Sequence, residues 1–454
     1  PPTSNNSPSS WESTFWTWRY YYQKIRRCCR FLEHVDAAYF SDESERTRMK
    51  VEARTWRAWY HLNLLRWYGR NDGIPIVDNS LDPTEVYIGR NTVEECLDFL
   101  NREFDEILNV QDEKAFPFLW DEGRRDRICQ AVVLAMKMDI NLQFKKYDLA
   151  KAAAKRLIDS RAFELYYDTE SEPSDLSANY RNLFTYKGEQ NKERIFFTKD
   201  GANDIWFRNM GTPLGGQGCA APLKSLLDTY ETIDGKTIQS LPASERQQYE
   251  KNPLYKPRDP RLAASIVLPG AQYGSIVFIP ANDQVPCGTR PRKYADIGNS
   301  DPDNCAINQI VLRYADVLLM RAEALIEANN LTDEVYTLIN KVRQRVGMPT
   351  IQEAEGTNLS QEALRKILRH ERRVELFLEG MRYVDMLRWK DESLVHDVYG
   401  YNRTKLSDPS SPSTWQFEKV TVATREFDSA KGWLWPIPLT DMQNNDQLTQ
   451  NPGY

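Results

Sequence analysis

Glu371, Glu375, Glu379 and Asp385 are the first residues in this sequence whose type and spacing could do chemistry. Paired carboxylates cleave glycosidic bonds when one gives a proton and the other attacks or activates water. Here they alternate with Arg372, Arg373 and Arg382 beside an apolar stripe of Leu364, Ile367, Leu368, Val374, Phe377 and Leu378. Charges placed against an apolar stripe must pair, because a lone buried ion is costly. The pattern therefore reads as an ion-pair network locking helix to helix, with an all-helical glycoside hydrolase as its rival. Arg258, Asp259 and Arg261 read in the same way, as an internal salt-bridge corner. Other catalytic chemistry has little to draw on. There are four His, and the seven Cys show no CxxC spacing, so no zinc site is expected. Cys96 and Cys129 lie in helical patterns as small buried residues. Cys219, Cys287 and Cys305 lie in loop-rich sequence that leaves room for a disulfide.

Binding chemistry is better supplied, with 12 Trp and 23 Tyr. A sugar ring offers C–H faces to aromatic rings and vicinal hydroxyls to planar polar side chains. Three places outside the helical stripes combine the two. The first is Asn203, Trp206, Arg208 and Asn209, followed by a glycine-rich stretch to Gly218. The second is Gln272 and Tyr273 with Asn282 and Asp283. The third is Trp11 and Trp16. Asp72, in the turn Asn71-Asp72-Gly73, adds a polar contact. Trp18, Trp56, Trp59 and Trp67 fall in helical phase and are expected to pack. No catalytic residue, metal ligand or cofactor is assigned. The Asp/Asn-rich loop Asp296 to Asn304 is the one place where a structural calcium is conceivable.

The elements that position these residues are mostly helical. Trp18, Tyr22, Ile25 and Cys29 share one helix face, as do Ala58, Leu62, Leu65 and Tyr68. Thr92 and Glu95 form a capping box for a third helix. Residues 126–165 read as a helix–turn–helix. Ala131, Leu134, Ala135, Met138 and Leu142 face Tyr147, Leu149, Ala150, Ala153 and Leu157. A second pair covers 308–346, with Ala315, Leu318, Leu319 and Ala322 facing Val335, Leu338, Ile339 and Val342. Both resemble the helical unit of tetratricopeptide repeats, which needs stacked neighbours. Residues 171–304 are rich in Gly, Pro, Asn, Asp and aromatics. Short β-prone runs there fall at Ile195–Thr198, Ala264–Leu268 and Ser275–Ile279. The expected architecture is mainly α. A helical region spans 1–170, a loop-rich and partly β insertion forming the binding face spans 171–304, and a helical scaffold spans 305–454. The net charge of −6 argues against nucleic acid as a partner. No apolar run approaches the roughly 18 residues of a membrane span.

Several short motifs occur in a fixed order along the chain. Glu52-Ala53-Arg54 is followed by Arg57-Ala58-Trp59-Tyr60, Leu64-Leu65, Tyr68-Gly69 and Ile74-Pro75. Tyr180 to Phe184 and Glu193 to Phe196 come next, then Asp234-Gly235-Lys236 and Arg258 to Leu262. Leu312 to Ala324, Ile339-Asn340, Glu371-Arg372-Arg373 and Glu379-Gly380 follow. Trp435-Pro436-Ile437-Pro438 and Asn451-Pro452-Gly453-Tyr454 complete the series. In this order they resemble the SusD/RagB family of outer-membrane nutrient-binding lipoproteins, whose C-terminal region would span about 195–454. The resemblance implies a tetratricopeptide-like scaffold and a cell-surface lipoprotein of Bacteroidetes-type bacteria. It also implies a SusC-like TonB-dependent transporter as partner, a glycan or other nutrient such as a peptide as ligand, and no catalysis. The lipid anchor it implies would sit on a cysteine outside these residues, and Cys28 and Cys29 are not that residue. Trp389, Trp433 and Trp435 belong to the family's scaffold motifs.

Overall fold

Alanines set how closely the first helix pair approaches. The computed structural model describes residues 12–198, 216, 218, 220–284, 287–295, 306–408 and 414–454, without the side chains of 12–16 and 394. Its contacts divide into two units. The first comprises 1–160, 383–395 and 426–454; the second comprises 161–382 and 396–425.

In the first unit, α1 (Glu12–His34) packs along α2 (Glu43–Tyr68), and α2 packs on α3 (Val93–Leu108). Asp42 caps α2 through the Ser44 N–H. The Thr92–Glu95 capping box of α3 is present with both reciprocal hydrogen bonds. α4 (Gln130–Gln143) and α5 (Tyr147–Asp159) form an antiparallel hairpin, with Ala131, Ala135, Ala150, Ala153 and Ala154 all buried. Leu149 departs from the expected stripe and is 41% exposed. It falls one position ahead of the Ala150, Ala153, Leu157 face, so the helical period turns it outward.

Residues 426–454 complete this unit on an aromatic joint. The Trp435 and Tyr383 rings both stack on Trp67, with centroids 5.2 and 5.6 Å away and near-parallel planes, and the Trp435 indole N–H donates to the Tyr383 hydroxyl at 3.1 Å. The Trp435 N–H donates to the Trp67 carbonyl at 2.9 Å. The Asn451 amide donates to the carbonyls of Tyr68 and Trp435 at 2.8 and 2.7 Å. It thus meets the Trp435 carbonyl and joins Arg90, which donates at 3.1 Å, in meeting that of Tyr68.

Among the described residues, the second unit holds four two-stranded antiparallel sheets. β1 (Arg194–Phe197) pairs with β6 (Ile310–Arg313), which runs directly into helix Tyr314–Glu327. That helix packs on helices Asp333–Gln344 and Gln361–Glu375, burying Ala315, Leu318, Leu319 and Ala322. β2 (Ile266–Val267) pairs with β5 (Arg290–Pro291), and β3 (Gln272–Tyr273) with β4 (Ile276–Val277). β7 (Val398–Tyr401) pairs with β8 (Lys419–Ala423). The expected β-run at 264–268 begins instead as the end of a helical turn, Arg261–Ser265, and only Ile266 and Val267 form strand. Asp259 accepts from the Arg261 N–H and starts that turn.

Between these elements lies a lattice of buried charges. Glu375 accepts from Arg313 at 2.7 Å, from Arg261 at 2.9 Å and from Arg345. Glu193 bridges Arg313 and Arg345 at 2.7 and 3.1 Å. Glu379 takes Arg313 and Lys293, both at 2.6 Å. Glu371 takes Arg261 and Arg343, and Asp259 takes Arg261 at 2.7 Å. The side chains of Glu371 and Glu375 are fully buried, and that of Glu379 is 6% exposed. Three guanidiniums around Glu375 hold its carboxyl well below the usual range, overcoming the opposing effect of burial. Most of these ions have two or more opposite neighbours, which is what makes their desolvation tolerable.

Candidate ligand-binding site

The hairpin of the second unit is built so that one strand face points in and the other out. Gly270 has φ +82°, and a Cβ there would lie 3.2 Å from the Trp415 ring. Past this turn, the Gly270 N–H bonds to the Phe278 carbonyl and the Phe278 N–H to the Ala271 carbonyl, both at 2.9 Å. These rungs continue into the β3–β4 pair. Alternation along two-residue strands sends Tyr273 inward and leaves Gln272 exposed. Ile276, Val277, Ile279 and Asn282 line a concavity of about 400 Å³ on the outer side. Val277 is 45% exposed, and Asn282 and Gln284 are exposed as well. The Arg292 guanidinium donates to the Gln272 carbonyl at 3.0 Å and fastens the hairpin edge. Burial, reinforced by nearby Arg181, lowers the pKa of Arg292.

Two of the expected ligand residues are corrected by this geometry. Tyr273 has no exposed surface and packs edge-on to Phe278 in a core with Tyr180, Phe184 and Tyr294. It has no ring face to offer a sugar. Asp283 is 3% exposed and its carboxylate is engaged by the Arg290 guanidinium. Arg290 also donates to the Gly218 carbonyl at 2.9 Å and the Ala220 carbonyl at 3.3 Å. The Asp283–Arg290 pair is thus a post holding the end of the glycine-rich stretch. Gly218 has φ +62°, and a Cβ there would come within 2.6 Å of the guanidinium. Only glycine fits this approach.

The other expected residues divide as follows. Asn282 lies on the concavity. Asp72 is exposed in the Asn71–Gly73 turn of the first unit, where Gly73 has φ +72°. Trp16 sits in α1, in the part whose side chains are not described. Trp11, Asn203, Trp206, Arg208 and Asn209 lie outside the described residues, as does the loop Asp296 to Asn304. Among the described residues, no cluster of His, Cys, Asp or Glu is arranged to hold a metal ion. Arg290 and Arg292 were missed from sequence. The available signal was a pair of arginines around a proline, seven and nine positions after Asp283.

The arrangement offers apolar contact and amide hydrogen bonds on an open surface. Of the carboxylates that could have cleaved a glycosidic bond, Glu371, Glu375 and Glu379 are sealed in the lattice, engaged by arginines and Lys293, and Asp385, in the first unit, is buried and paired with Arg388 at 2.8 Å. Cys287 is a buried free thiol.

Comparison with known proteins fits this picture. Residues 163–454 match the model of the SusD family. The chain belongs to the SusD family. Its residues 3–105 match a second SusD-like model, described as starch-binding associating with outer membrane. SusD-like protein P38 of Formosa agariphila is 23% identical, over 99% of this chain and 82% of that protein. SusD-like protein P2 of the same organism is 30% identical over 168 residues; the match covers 36% of this chain and only 29% of that relative's length. A crystal structure of a SusD-like carbohydrate-binding protein from Bacteroides fragilis superposes with a TM-score of 0.79 at 25% identity, covering 95% of this chain and 85% of the other. The SusD fold accounts for the helical pairs and the loop-rich face together. Among the described residues no helix of this SusD-family chain is long and apolar enough to cross a membrane.

Proposed function

We propose that this SusD-family chain is a cell-surface glycan-binding protein. It captures an oligo- or polysaccharide at the outer membrane and delivers it to a SusC-like TonB-dependent transporter, without a catalytic step. A lipid on an N-terminal cysteine outside these residues tethers it to the membrane. The family match over 163–454 carries the reading. The Bacteroides fragilis relative described as carbohydrate-binding supports it.

Asn282, Gln272 and the apolar wall of Ile276, Val277 and Ile279 supply one part of the binding surface. In the same unit, Trp206 with Asn203, Arg208 and Asn209 supplies a ring face and further hydrogen bonds. In the first unit, taken by itself, Trp11, Trp16 and Asp72 are further candidate contacts for the same class of ligand. Such shallow, wet sites bind through stacking and water-bridged hydrogen bonds. The same apolar wall also suits the side chains of a peptide, which is the second reading.

Calorimetric titration of the purified chain against a panel of soluble polysaccharides and peptides tests both, with released reducing ends assayed in parallel. Glycan binding without reducing-end release is expected. Binding of peptides alone would replace the first reading by the second. Turnover lost on substituting a carboxylate would sink both.

A further inference from the structure

The β3–β4 hairpin has an apolar side and a cationic edge. Gln272 and Val277 are cross-strand partners, so their side chains leave the same face of the pair. Both are exposed. On the β4 side lies the concavity of Ile276, Val277, Ile279 and Asn282. On the β3 side stands Arg292, whose Nη2 donates to the Gln272 carbonyl at 3.0 Å in a solvent-exposed hydrogen bond. Apolar wall, amide and guanidinium thus follow one another across the hairpin. Paired strands are only about 5 Å apart, so a short oligosaccharide laid across them meets all three.

Arg292 is a guanidinium without a counter-ion. The lattice arginines Arg261, Arg313, Arg343 and Arg345 each meet a carboxylate. Arg292 meets none among the described residues. Its Nε is enclosed, whereas its Nη1 carries no hydrogen bond and is not sealed from solvent. Two N–H donors there are open to a ligand. The neighbouring charge is of the same sign. Arg181 acts on Arg292 and is itself committed, to Asp175 at 2.8 Å and to Ser177 Oγ at 3.0 Å. A half-buried cation beside another cation is held at a cost, which an incoming anion relieves. The chain as a whole carries −6, so its overall field does not draw polyanions, and any preference for them is made locally.

We propose that Arg292 makes this face selective for acidic glycans, its Nη1 donating to a carboxylate or sulfate ester on a sugar whose neighbours lie over Gln272 and Val277. Both anions present oxygens that a guanidinium binds with charge-assisted hydrogen bonds. The inference rests on the glycan reading of the same hairpin and adds the class of sugar.

The test is calorimetric titration of the whole chain with two pairs of oligosaccharides. One pair is an oligogalacturonate and its methyl ester; the other is a sulfated galactan fragment and its desulfated form. Each pair differs in the anionic group alone. At least one acidic form is expected to bind about tenfold or more tighter than its uncharged partner, as a hydrogen bond to a charged group implies. The pair that shows this names the anion. The ratio should fall several-fold as salt rises from about 0.05 to 0.5 M. Arg292→Gln should bring the pair within about twofold, and Arg292→Lys should keep part of the preference. Equal binding of charged and uncharged forms in both pairs would overturn the proposal and leave the glycan reading standing. Binding of none of the four would overturn it too, and the wider panel then decides the glycan reading by itself. Both outcomes are read on the unaltered chain, so a poorly folded variant does not blunt the test. A preference that persists in folded Arg292→Gln would also overturn it.

Discussion

The pair α4–α5 in the first unit and the pair Tyr314–Glu327 with Asp333–Gln344 in the second use the same device. Alanines at helical spacing bring two helices together over an apolar seam. What closes each unit is different. The first is closed by stacked rings, with Trp435 and Tyr383 both laid on Trp67, beside separate ion pairs such as Arg57–Glu103. The second is closed by a continuous lattice in which Glu193, Glu371, Glu375 and Glu379 share arginines. Stacked rings act through area and dispersion, which tolerate imperfect geometry and ignore pH. A lattice of ions holds only while each member is charged and present. One scaffold therefore carries two kinds of stability with different failure modes.

The largest expected break in this contrast is Glu375→Ala. It leaves Arg261, Arg313 and Arg345 facing an emptied site, and should cost about 3–5 kcal/mol in urea unfolding. Trp67→Ala, on the aromatic side, should cost about 2–3 kcal/mol with no change in pH dependence, because part of the ring is exposed and the rest of the stack remains.

A third effect is confined to the second unit and to acid pH. His370 sits 3.3 Å from Glu231. Burial, reinforced by Arg343 and Arg261, lowers the His370 pKa to about 4. The unfolded chain therefore takes up this proton first, and stability is lost as pH falls from about 6.5 toward 4. Burial raises Glu231 to about 6, against the pull of Arg343. That contribution has the opposite sign: it is present below the ordinary carboxylate range and lost as pH rises through 6. His370→Gln should flatten the acid limb by about 1–2 kcal/mol, and Glu231→Gln should steepen it. Urea midpoints measured from pH 4 to 7 decide the matter; an unchanged limb in His370→Gln would refute the assignment.

Two smaller effects concern the binding face. Gly218→Ala should cost about 1 kcal/mol through its left-handed backbone and its contact with Arg290, and should weaken ligand binding by more than stability alone predicts. Asn282→Ala should leave the melting temperature unchanged and lower affinity a few-fold, the size of one neutral hydrogen bond. Equal affinity in Asn282→Ala would remove this side chain from the site.

The helix pairs were legible in the sequence because alanines and large apolar residues recur at the helical period over long runs. The lattice was legible because charges on an apolar stripe have only one inexpensive solution. The binding face was read less well. β3 and β4 have two residues each, too few for alternation to show that Tyr273 points inward and Gln272 outward. Asp283 looked like a ligand contact because its partner, Arg290, comes from a strand that the hairpin carries back beside it. Nor does any local pattern show that residues 426–454 belong with 1–160. That pairing rests on two tryptophans and an asparagine brought together from far apart in the chain.

The Asn451 bridge to Tyr68 and Trp435 has a consequence for the order of assembly. The helices of the first unit up to Ser160 are made before the second unit, yet the aromatic joint waits for a segment that starts roughly 265 residues after Ser160. At ribosomal speeds of about 5–20 residues per second, that delay is on the order of ten seconds or more. During it, α2 presents Trp67 without the Trp435 and Tyr383 rings that stack on it. The unit begun before the other is finished after it, and a chaperone would find its work there.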